Sequence, residues 1–232
     1  MNETNDFTQT NQIIELLKTK SVLKLEIFES TKAQFKEFKK QAEIIIQNLR
    51  KATQGLEKQL SIEIKEKGDY YFELVVAGDL LVFFMHSNIF EFDKNHYLWQ
   101  SKYVKQNEGA VFCGQITVYN FLADSLKFKR EKDVGYPIAR FFLNKDKHYL
   151  VDGKGKIGQK HGDFANQIIN PEKTAEIILD LILYCMDFDL FVTPFQNLPE
   201  ISVEEVTVIS DFMTTPTGKR LGYKFNAEEE KH

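Results

Sequence analysis

Proline, glycine and cysteine are scarce in this sequence, and their scarcity excludes several classes of protein. The chain of 232 residues contains 12 glycines, 5 prolines and 2 cysteines. Such a composition excludes collagen-like and low-complexity chains, and it supplies too few cysteines for a disulfide-stabilised scaffold. Cys113 and Cys185 lie within apolar runs and have no C-x-x-C spacing. We interpret them as unbridged, buried thiols in a reducing compartment.

The sequence also has no excess of positive charge, no membrane-spanning run and no signal peptide. Its net charge is −4, so composition gives no general case for binding nucleic acid, and we find no nucleic-acid motif. The fully apolar run within residues 174–191 is shorter than a membrane span of about 20 residues. The amino end is polar, without a basic region followed by an apolar one. We therefore expect a cytoplasmic protein that does not bind membranes.

Motifs for metal binding and nucleophilic catalysis are missing too. The 5 histidines show no H-E-x-x-H or other close ligand spacing, and no G-x-S-x-G, P-loop or S-x-x-K occurs. We therefore expect no metal and no cofactor. Catalytic groups assemble in space from distant parts of a chain, so these absences do not exclude an enzyme.

One long apolar segment determines the predicted architecture. Residues 174–191 are apolar almost all round a helix, apart from one polar line that recurs every three or four residues: Lys173, Glu176, Asp180, Tyr184 and Asp187. Pro171 suits the first turn of such a helix. We predict a buried core helix over about residues 172–191 that lies along a sheet.

From residue 60 the apolar period changes to that of strands. Alternating or doubly apolar segments follow one another, separated by short turns such as Lys67–Asp69 and the polar loop Asn144–Lys147. Short connections of this kind imply antiparallel neighbours. The predicted fold is therefore α+β: an antiparallel meander of six to eight strands covered by the core helix, with an N-terminal long-helix segment. We divide the chain into residues 1–56 (helical) and 57–232 (α+β domain).

The N-terminal segment carries a seam of apolar or small residues. After an initial gap of seven, the spacing alternates between three and four: Phe28, Phe35, Phe38, Ala42, Ile45, Leu49, Ala52 and Leu56. One interpretation is a coiled coil that forms a homodimer. The alternative, which phenylalanine and alanine at these positions favour, is a helix that packs on the sheet. The run Val22–Phe28 also alternates like a strand.

A glycine-rich loop follows one of the predicted strands. Gly153, Gly155 and Gly158 match G-x-G-x-x-G, the pattern of dinucleotide-binding turns. Because no apolar helical pattern follows and Asp-Gly is a hairpin signal, we favour a solvated hairpin. The positive charges in and after the loop would still suit a phosphate group, so we name Lys154, Lys156 and Lys160, with His161 beside them, as ligand-binding candidates.

The carboxylates at the end of the core helix need partners. Asp187 and Asp189 fall where the helix dipole is negative, which disfavours them by up to about 1 kcal/mol. Arg140 lies on an apolar strand face with Tyr136, Ile138 and Phe142. We predict a structural ion pair of Arg140 with Asp187 or Asp189, and the alternative is an arginine that binds an anionic ligand.

An aromatic segment supplies two further ligand-binding candidates. Trp99 and Tyr103, with His96, would line one face of a helix among lysines. A surface for stacking bases or docking a peptide is one interpretation, and aromatic residues that close the edge of the sheet are the other, which we favour.

Two functions remain open from the sequence. We favour a non-catalytic binding or interaction module that takes a small anionic ligand or a protein partner and forms a homodimer through its N-terminal helices. The alternative is an enzyme acting on a phosphorylated or nucleotide substrate, in which His161 or Asp163 serves as acid or base.

Overall fold

A computed structural model of the chain describes residues 3–131, 133–188, 195, 200, 202–204 and 206. The chain begins with one continuous helical segment, made of α1 (Glu3–Leu16), a π-helical turn (Leu17–Ser21) and α2 (Val22–Ala52). The elements that follow are β1 (Ile62–Glu66), β2 (Tyr71–Val76), β3 (Asp79–Met85), β4 (Phe90–Glu91), a 3₁₀ turn (Tyr97–Gln100), α3 (Lys102–Gln106), a second 3₁₀ turn (Glu108–Val111), β5 (Phe112–Leu122), α4 (Ala123–Lys127), β6 (Tyr136–Leu143), β7 (Tyr149–Gly153), α5 (Lys156–Lys160) and α6 (Pro171–Met186).

The strands form one antiparallel sheet with helices on one face. Its order is β1-β2-β3-β5-β6-β7, and the short β4 pairs with β5 beside this path. Each neighbouring pair is antiparallel, as short connections require. The predicted α+β fold, with an antiparallel sheet, a long N-terminal helix and a later helix on the sheet, is confirmed.

Helix α2 lies across the sheet and supplies much of the core. Phe35 and Phe38 are fully buried, and their rings meet Phe72 and Phe141 at centroid distances of 5.3 and 5.2 Å. Most of the predicted seam lies in this interface with the sheet. The segment Val22–Phe28 is helical rather than a strand: Leu23 and Ile27 lie on the side of the helix that faces the protein, whereas Val22 and Leu25 are exposed.

Helix α6 packs beside α2 on the same face of the sheet. Asn170 caps it by accepting a hydrogen bond from the backbone N–H of Lys173, and Pro171 opens the first turn. The helix ends at Met186, and positions 189–191 of the predicted helix lie outside the described residues. Its outer face exposes apolar side chains: Leu179, Leu183 and Met186. The helix is therefore only partly enclosed, and within the described ranges no helix is long and apolar enough to cross a membrane.

A second, smaller cluster covers one end of the opposite sheet face. The segment between β4 and β5 folds over Phe142 and Leu150 and buries Leu98 and Val104 against them. Among the described residues, no long helix lies on the rest of this face, since α2 and α6 both contact the other face. The sheet therefore has one face in the main core and one face that is covered only at its ends.

Gly114 allows α2 to approach the sheet closely. A side chain at this position in β5 would place its Cβ 2.0 Å from Oγ1 of Thr31 and 2.7 Å from the Cβ of that residue. Thr31 is itself fully buried, and its hydroxyl donates to the carbonyl oxygen of Ile27 at 2.7 Å. The backbone of β5 therefore touches the helix directly at this point.

We predict that Gly114→Ala strongly destabilises the fold. The added methyl group forces α2 away from β5, and overpacking of this kind costs about 1–3 kcal/mol. Chemical denaturation would measure the loss. Gly109→Ala is the matched control, because its Cβ meets only the Leu23 side chain, at 3.2 Å, so a smaller change is expected. Equal stability of the two variants would contradict the close approach.

Candidate functional site

A row of side chains crosses the uncovered sheet face at right angles to the strands. The register pairs Tyr71 with Phe84, Phe84 with Thr117, Thr117 with Arg140, and Arg140 with Asp152. Directly paired residues of antiparallel strands point to the same face, so these five side chains are neighbours. Five strands thus bring aromatic, hydroxyl, guanidinium and carboxylate groups together from distant parts of the sequence.

A β-bulge determines which residues of β6 join this row. The register between β5 and β6 shifts at Val118 and Tyr119, so that Ala139 and Pro137 are paired while Ile138 is skipped. The bulge turns Ile138 into the helix-side core, whereas Arg140 and Phe142 face the other way. The expectation that Ile138 shares a face with Arg140 is therefore wrong, because simple alternation ignores the extra residue.

Arg140 pairs with a different carboxylate from those predicted. Its Nε donates to Oδ2 of Asp152 at 3.1 Å, and Nη2 donates to the same oxygen. The guanidinium lies 5.4 Å from the centroid of the Phe142 ring. Asp187 instead caps the C-terminus of α6, which packs on the opposite face of the sheet, and Asp189 lies outside the described residues. The predicted pairing with Asp187 is wrong, because Arg140 faces away from α6.

The row forms the floor of an open groove. A cavity of about 730 Å³ lies over Phe84, Thr117, Arg140 and Asp152 and extends to other residues: His86, Gln115, Tyr119 and Lys154. A second cavity of about 240 Å³ shares Gln115, Arg140 and Asp152 and reaches Glu91, Asp93 and His96. Cavities of a few hundred cubic ångströms are the size of small-molecule sites.

Two histidines at the groove accept backbone hydrogen bonds at Nδ1. In His86 this atom accepts from the backbone N–H of Asn88 at 3.0 Å, and in His96 it accepts from that of Leu98 at 3.5 Å. A ring nitrogen that accepts carries no proton, so Nε2 carries it in the neutral form. Both histidines therefore present an N–H donor at Nε2.

The glycine-rich loop is a strand-to-helix turn. Gly153 ends β7, Gly155 has φ +56°, and α5 begins at Lys156. A Cβ at Gly158 would lie 2.9 Å from the carbonyl oxygen of Gly153, so the turn requires glycine for backbone packing. The predicted hairpin is wrong, because a short helix follows the loop. With five residues, α5 is too short to provide an anion site at its N-terminus.

His161 lies in a buried network beside this turn. It is 1% exposed, and its Nε2 is 2.8 Å from Oδ2 of Asp180. Its Nδ1 is 3.4 Å from the hydroxyl oxygen of Tyr149, whose pKa is raised to about 12 by burial. Lys160 contacts Asp180 and Glu176 at 2.8 Å each. These contacts hold α5 against α6.

The sequence candidates for phosphate chemistry do not converge on one cavity. Arg140 and Lys154 line the groove, whereas Lys156 and Lys160 line a separate cavity of about 740 Å³ beside α6, together with Asp187. His161 is enclosed. The exposed side chain of Asp163 accepts from the amide of Asn166. The enzyme hypothesis combined residues that the fold separates.

The aromatic candidates take part in the smaller cluster. Trp99 donates from Nε1 to the carbonyl oxygen of Phe92 at 3.2 Å. Tyr103 stacks on His148 with ring centroids 4.0 Å apart, and its hydroxyl donates to Asp146. A serine separates the 3₁₀ turn from α3, so Trp99 and Tyr103 do not share one helix. Both rings close the end of the sheet.

Several residues of the groove were not predicted from the sequence. Gln115 and Thr117 lie on β5 and Asp152 lies on β7, and only the register brings them to Arg140. One feature of the sequence could have revealed the polar face of β5: Gln115 and Thr117 are polar residues two positions apart in an otherwise apolar strand.

Neither a metal site among the described residues nor a related protein gives further information about the function of the groove. Among the described residues, no group of three or more histidine, cysteine or acidic side chains is placed to bind a metal. Comparisons with protein-family models, with curated proteins and with solved structures find no match for this chain. The function of the groove is therefore inferred from its residues and their contacts.

We predict an acid-sensitive contribution to stability from Glu176. Hydrogen bonds from Lys160 and then Lys173, each at 2.8 Å, lower the pKa of this carboxyl from 4.5 to about 2. A carboxylate with a lowered folded-state pKa stabilises the protein above pH 4.5, and this contribution is lost as the pH falls toward 2. Since the pairs are partly exposed, we expect about 0.5–1 kcal/mol.

Unfolding of Glu176→Gln and of the unmodified protein, followed from pH 7 to pH 2, would measure this contribution. The difference in unfolding free energy should be constant above pH 5 and disappear at low pH. Glu57→Gln is the control, because Glu57 is exposed and has no ion pair within the described ranges. A difference that persists at pH 2 would argue against ionic stabilisation.

Proposed function

We propose that the protein is a cytoplasmic, non-catalytic binding module that holds a small anionic ligand in the groove on the uncovered sheet face. One observation carries the proposal: Arg140 is fixed by Asp152 at the centre of a cavity of ligand size. Asp152 engages Nε and Nη2 of the guanidinium, and no contact within the described ranges occupies Nη1. Arginine presents planar, fixed donors that suit a carboxylate or a phosphate.

The charges of the groove indicate where the anion lies. The larger cavity carries two cationic side chains, Arg140 and Lys154, and a single carboxylate, Asp152. The smaller cavity adds acidic side chains, Glu91 and Asp93. An anion is therefore favoured at the end near Lys154, since like charges at the other end would repel it.

The aromatic floor favours a ligand that also contains a flat ring. Phe84 and Tyr119 are nearly parallel, with ring centroids 5.8 Å apart and an interplanar angle of 16°. Both side chains are half-buried and line the same cavity as Arg140. Stacking on an exposed aromatic face is worth about 1–3 kcal/mol per base. A mononucleotide or a cyclic nucleotide combines both features.

Binding accounts for this groove better than catalysis does. The candidate acid or base His161 is enclosed on the other side of the sheet. His86 and His96 use Nδ1 to cap turns, and no carboxylate within the described ranges orients either ring as a base. General acid–base catalysis requires a group within hydrogen-bond reach of the ligand and oriented toward it.

We predict that a nucleotide stabilises the protein through Arg140. A thermal-shift titration with ATP, ADP, cyclic nucleotides and inorganic phosphate, with and without magnesium, would find the ligand. At about 100 times its Kd a ligand adds roughly 2.7 kcal/mol, a shift of about 5–10 °C. Arg140→Gln should weaken binding about tenfold or more, since charge-assisted hydrogen bonds contribute about 1.5–3 kcal/mol.

Lys145→Gln is the matched control, since Lys145 is exposed at the other end of the β6–β7 hairpin and lines neither groove cavity. It should bind as the unmodified protein does. No shift across the panel, or an equal loss in both variants, would refute the proposed site. Turnover of the bound nucleotide would favour the enzyme alternative.

Self-association is a second candidate function, supported by the N-terminal arm. We define the arm as residues 8–25, which comprise most of α1, the π turn and the start of α2. All its large apolar side chains except Leu23 are exposed: Ile13, Ile14, Leu16, Leu17, Val22 and Leu25. An exposed apolar stripe on a projecting helix is typical of an interaction surface. We propose that the arm forms a homodimer.

We predict that Leu17→Glu dissociates this dimer. A buried charge without a partner is strongly unfavourable in an apolar interface. Light scattering after size exclusion should give a mass near 27.1 kDa for the variant and twice that for the unmodified protein. Ile44→Glu, at an exposed apolar position of α2 outside the arm, should remain dimeric. A monomeric unmodified protein would rule out association through the arm.

A further inference from the structure

We infer that two copies of the chain cross antiparallel through the arm, with the two-fold axis near Thr19. Ile13 of one copy then packs against Leu25 of the other, and Leu16 packs against Val22. The inference rests on the proposed self-association and adds its direction and register. Four observations support it: the isolation of the arm, its π turn, the spacing of its apolar residues and its charge polarity.

The arm has little support from its own chain. Every residue from position 8 to position 22 is exposed, and the first buried side chain of the helical segment is Ile27. An isolated helix of this length is only marginally stable in water, because its apolar side chains gain nothing by burial. A partner that covers the apolar stripe would supply the missing stabilisation.

The π turn keeps the apolar side chains on one side of the arm. A π turn takes up more residues than an α turn, so residues five apart within it come to the same side. Leu17 and Val22 bracket this turn, and Ile13 and Leu25 continue the stripe at helical spacings of four and three. In an uninterrupted α-helix, the spacing of five would turn Val22 away from Leu17.

The opposite side of the arm is turned toward the body of the protein. The ammonium groups of Lys20 and Lys24 lie 5.3 and 6.0 Å from the centroid of the Phe112 ring. Leu23 is half-buried near Gly109. Leu25 is two positions further along, about 200° round the helix, and is 62% exposed. The apolar stripe therefore faces away from the protein and is accessible to a second copy.

Two pairs of exposed apolar residues are symmetrical about Thr19, whereas Ile14 and Leu17 lie opposite Lys24 and Ser21. Ile13 and Leu25 are equally far from Thr19 along the chain, as are Leu16 and Val22. A two-fold axis requires a patch that complements itself, in which residue i contacts residue j and residue j contacts residue i. The two symmetrical apolar pairs fulfil this requirement for antiparallel helices.

The charges of the segment favour the same direction. Residues 3–16 contain three acidic and no basic residues, whereas residues 17–25 contain three lysines and no acidic residue. In an antiparallel crossing about Thr19, Glu15 of one copy lies beside Lys24 of the other, and Lys18 lies opposite Lys20. A parallel arrangement would align like charges along the whole contact, which costs free energy.

Cysteine cross-linking tests the direction of the crossing. Gln12 and Glu26 are exposed positions that lie opposite each other across the proposed axis. In a glutathione redox buffer, a mixture of Gln12→Cys and Glu26→Cys should give several-fold more disulfide-linked dimer than either variant alone. The unmodified protein is the background control, since Cys113 and Cys185 are both buried.

The outcomes separate the two claims. Efficient cross-linking of each variant with itself, and none in the mixture beyond that level, would overturn the antiparallel crossing and leave the dimer intact. A dimer by light scattering that cross-links at neither position would place the interface outside the arm. A monomer by light scattering would overturn both the self-association and its geometry.

Discussion

The main core forms between one face of the sheet and two helices, and this one-sided burial is the constraint on which the rest of the structure depends. Phe35 and Phe38 of α2 insert among aromatic rings of the sheet, and α6 completes the same layer. A half-covered antiparallel sheet needs apolar residues on one face only. The other face is therefore able to carry polar and charged side chains without loss of the core.

The groove can exist because only one face of the sheet is buried in the main core. Thr117, Arg140 and Asp152 alternate with core residues along their strands, so the packing that fixes the core also fixes their positions. The bulge in β6 adjusts the alternation locally and leaves Arg140 on the uncovered face. A rigid sheet thereby holds the guanidinium and its carboxylate in place before any ligand arrives, which lowers the entropic cost of binding.

The exposure of the arm also follows from the position of the core. Helix α2 is buried from Ile27 onward because the sheet lies beneath it, and the helical segment continues beyond the edge of the sheet as a projecting arm. Its apolar residues are thus exposed and are not covered by any part of the chain that the structure describes. The proposed ligand groove and the proposed association surface lie in different parts of the molecule, so each can be mutated without disturbing the other.

The amino-acid sequence by itself determined the elements and the fold class. Periods of 3.6 and 2 residues depend on neighbours along the chain, so they predicted the long N-terminal helix, the antiparallel strands and the start of α6 at Pro171. Contacts between distant residues were decided only by the tertiary structure. The partner of Arg140, the exposed outer face of α6 and the helix after Gly155 depend on strand register, layer packing and backbone clearance. No local pattern encodes these, because each depends on atoms that the fold alone brings together.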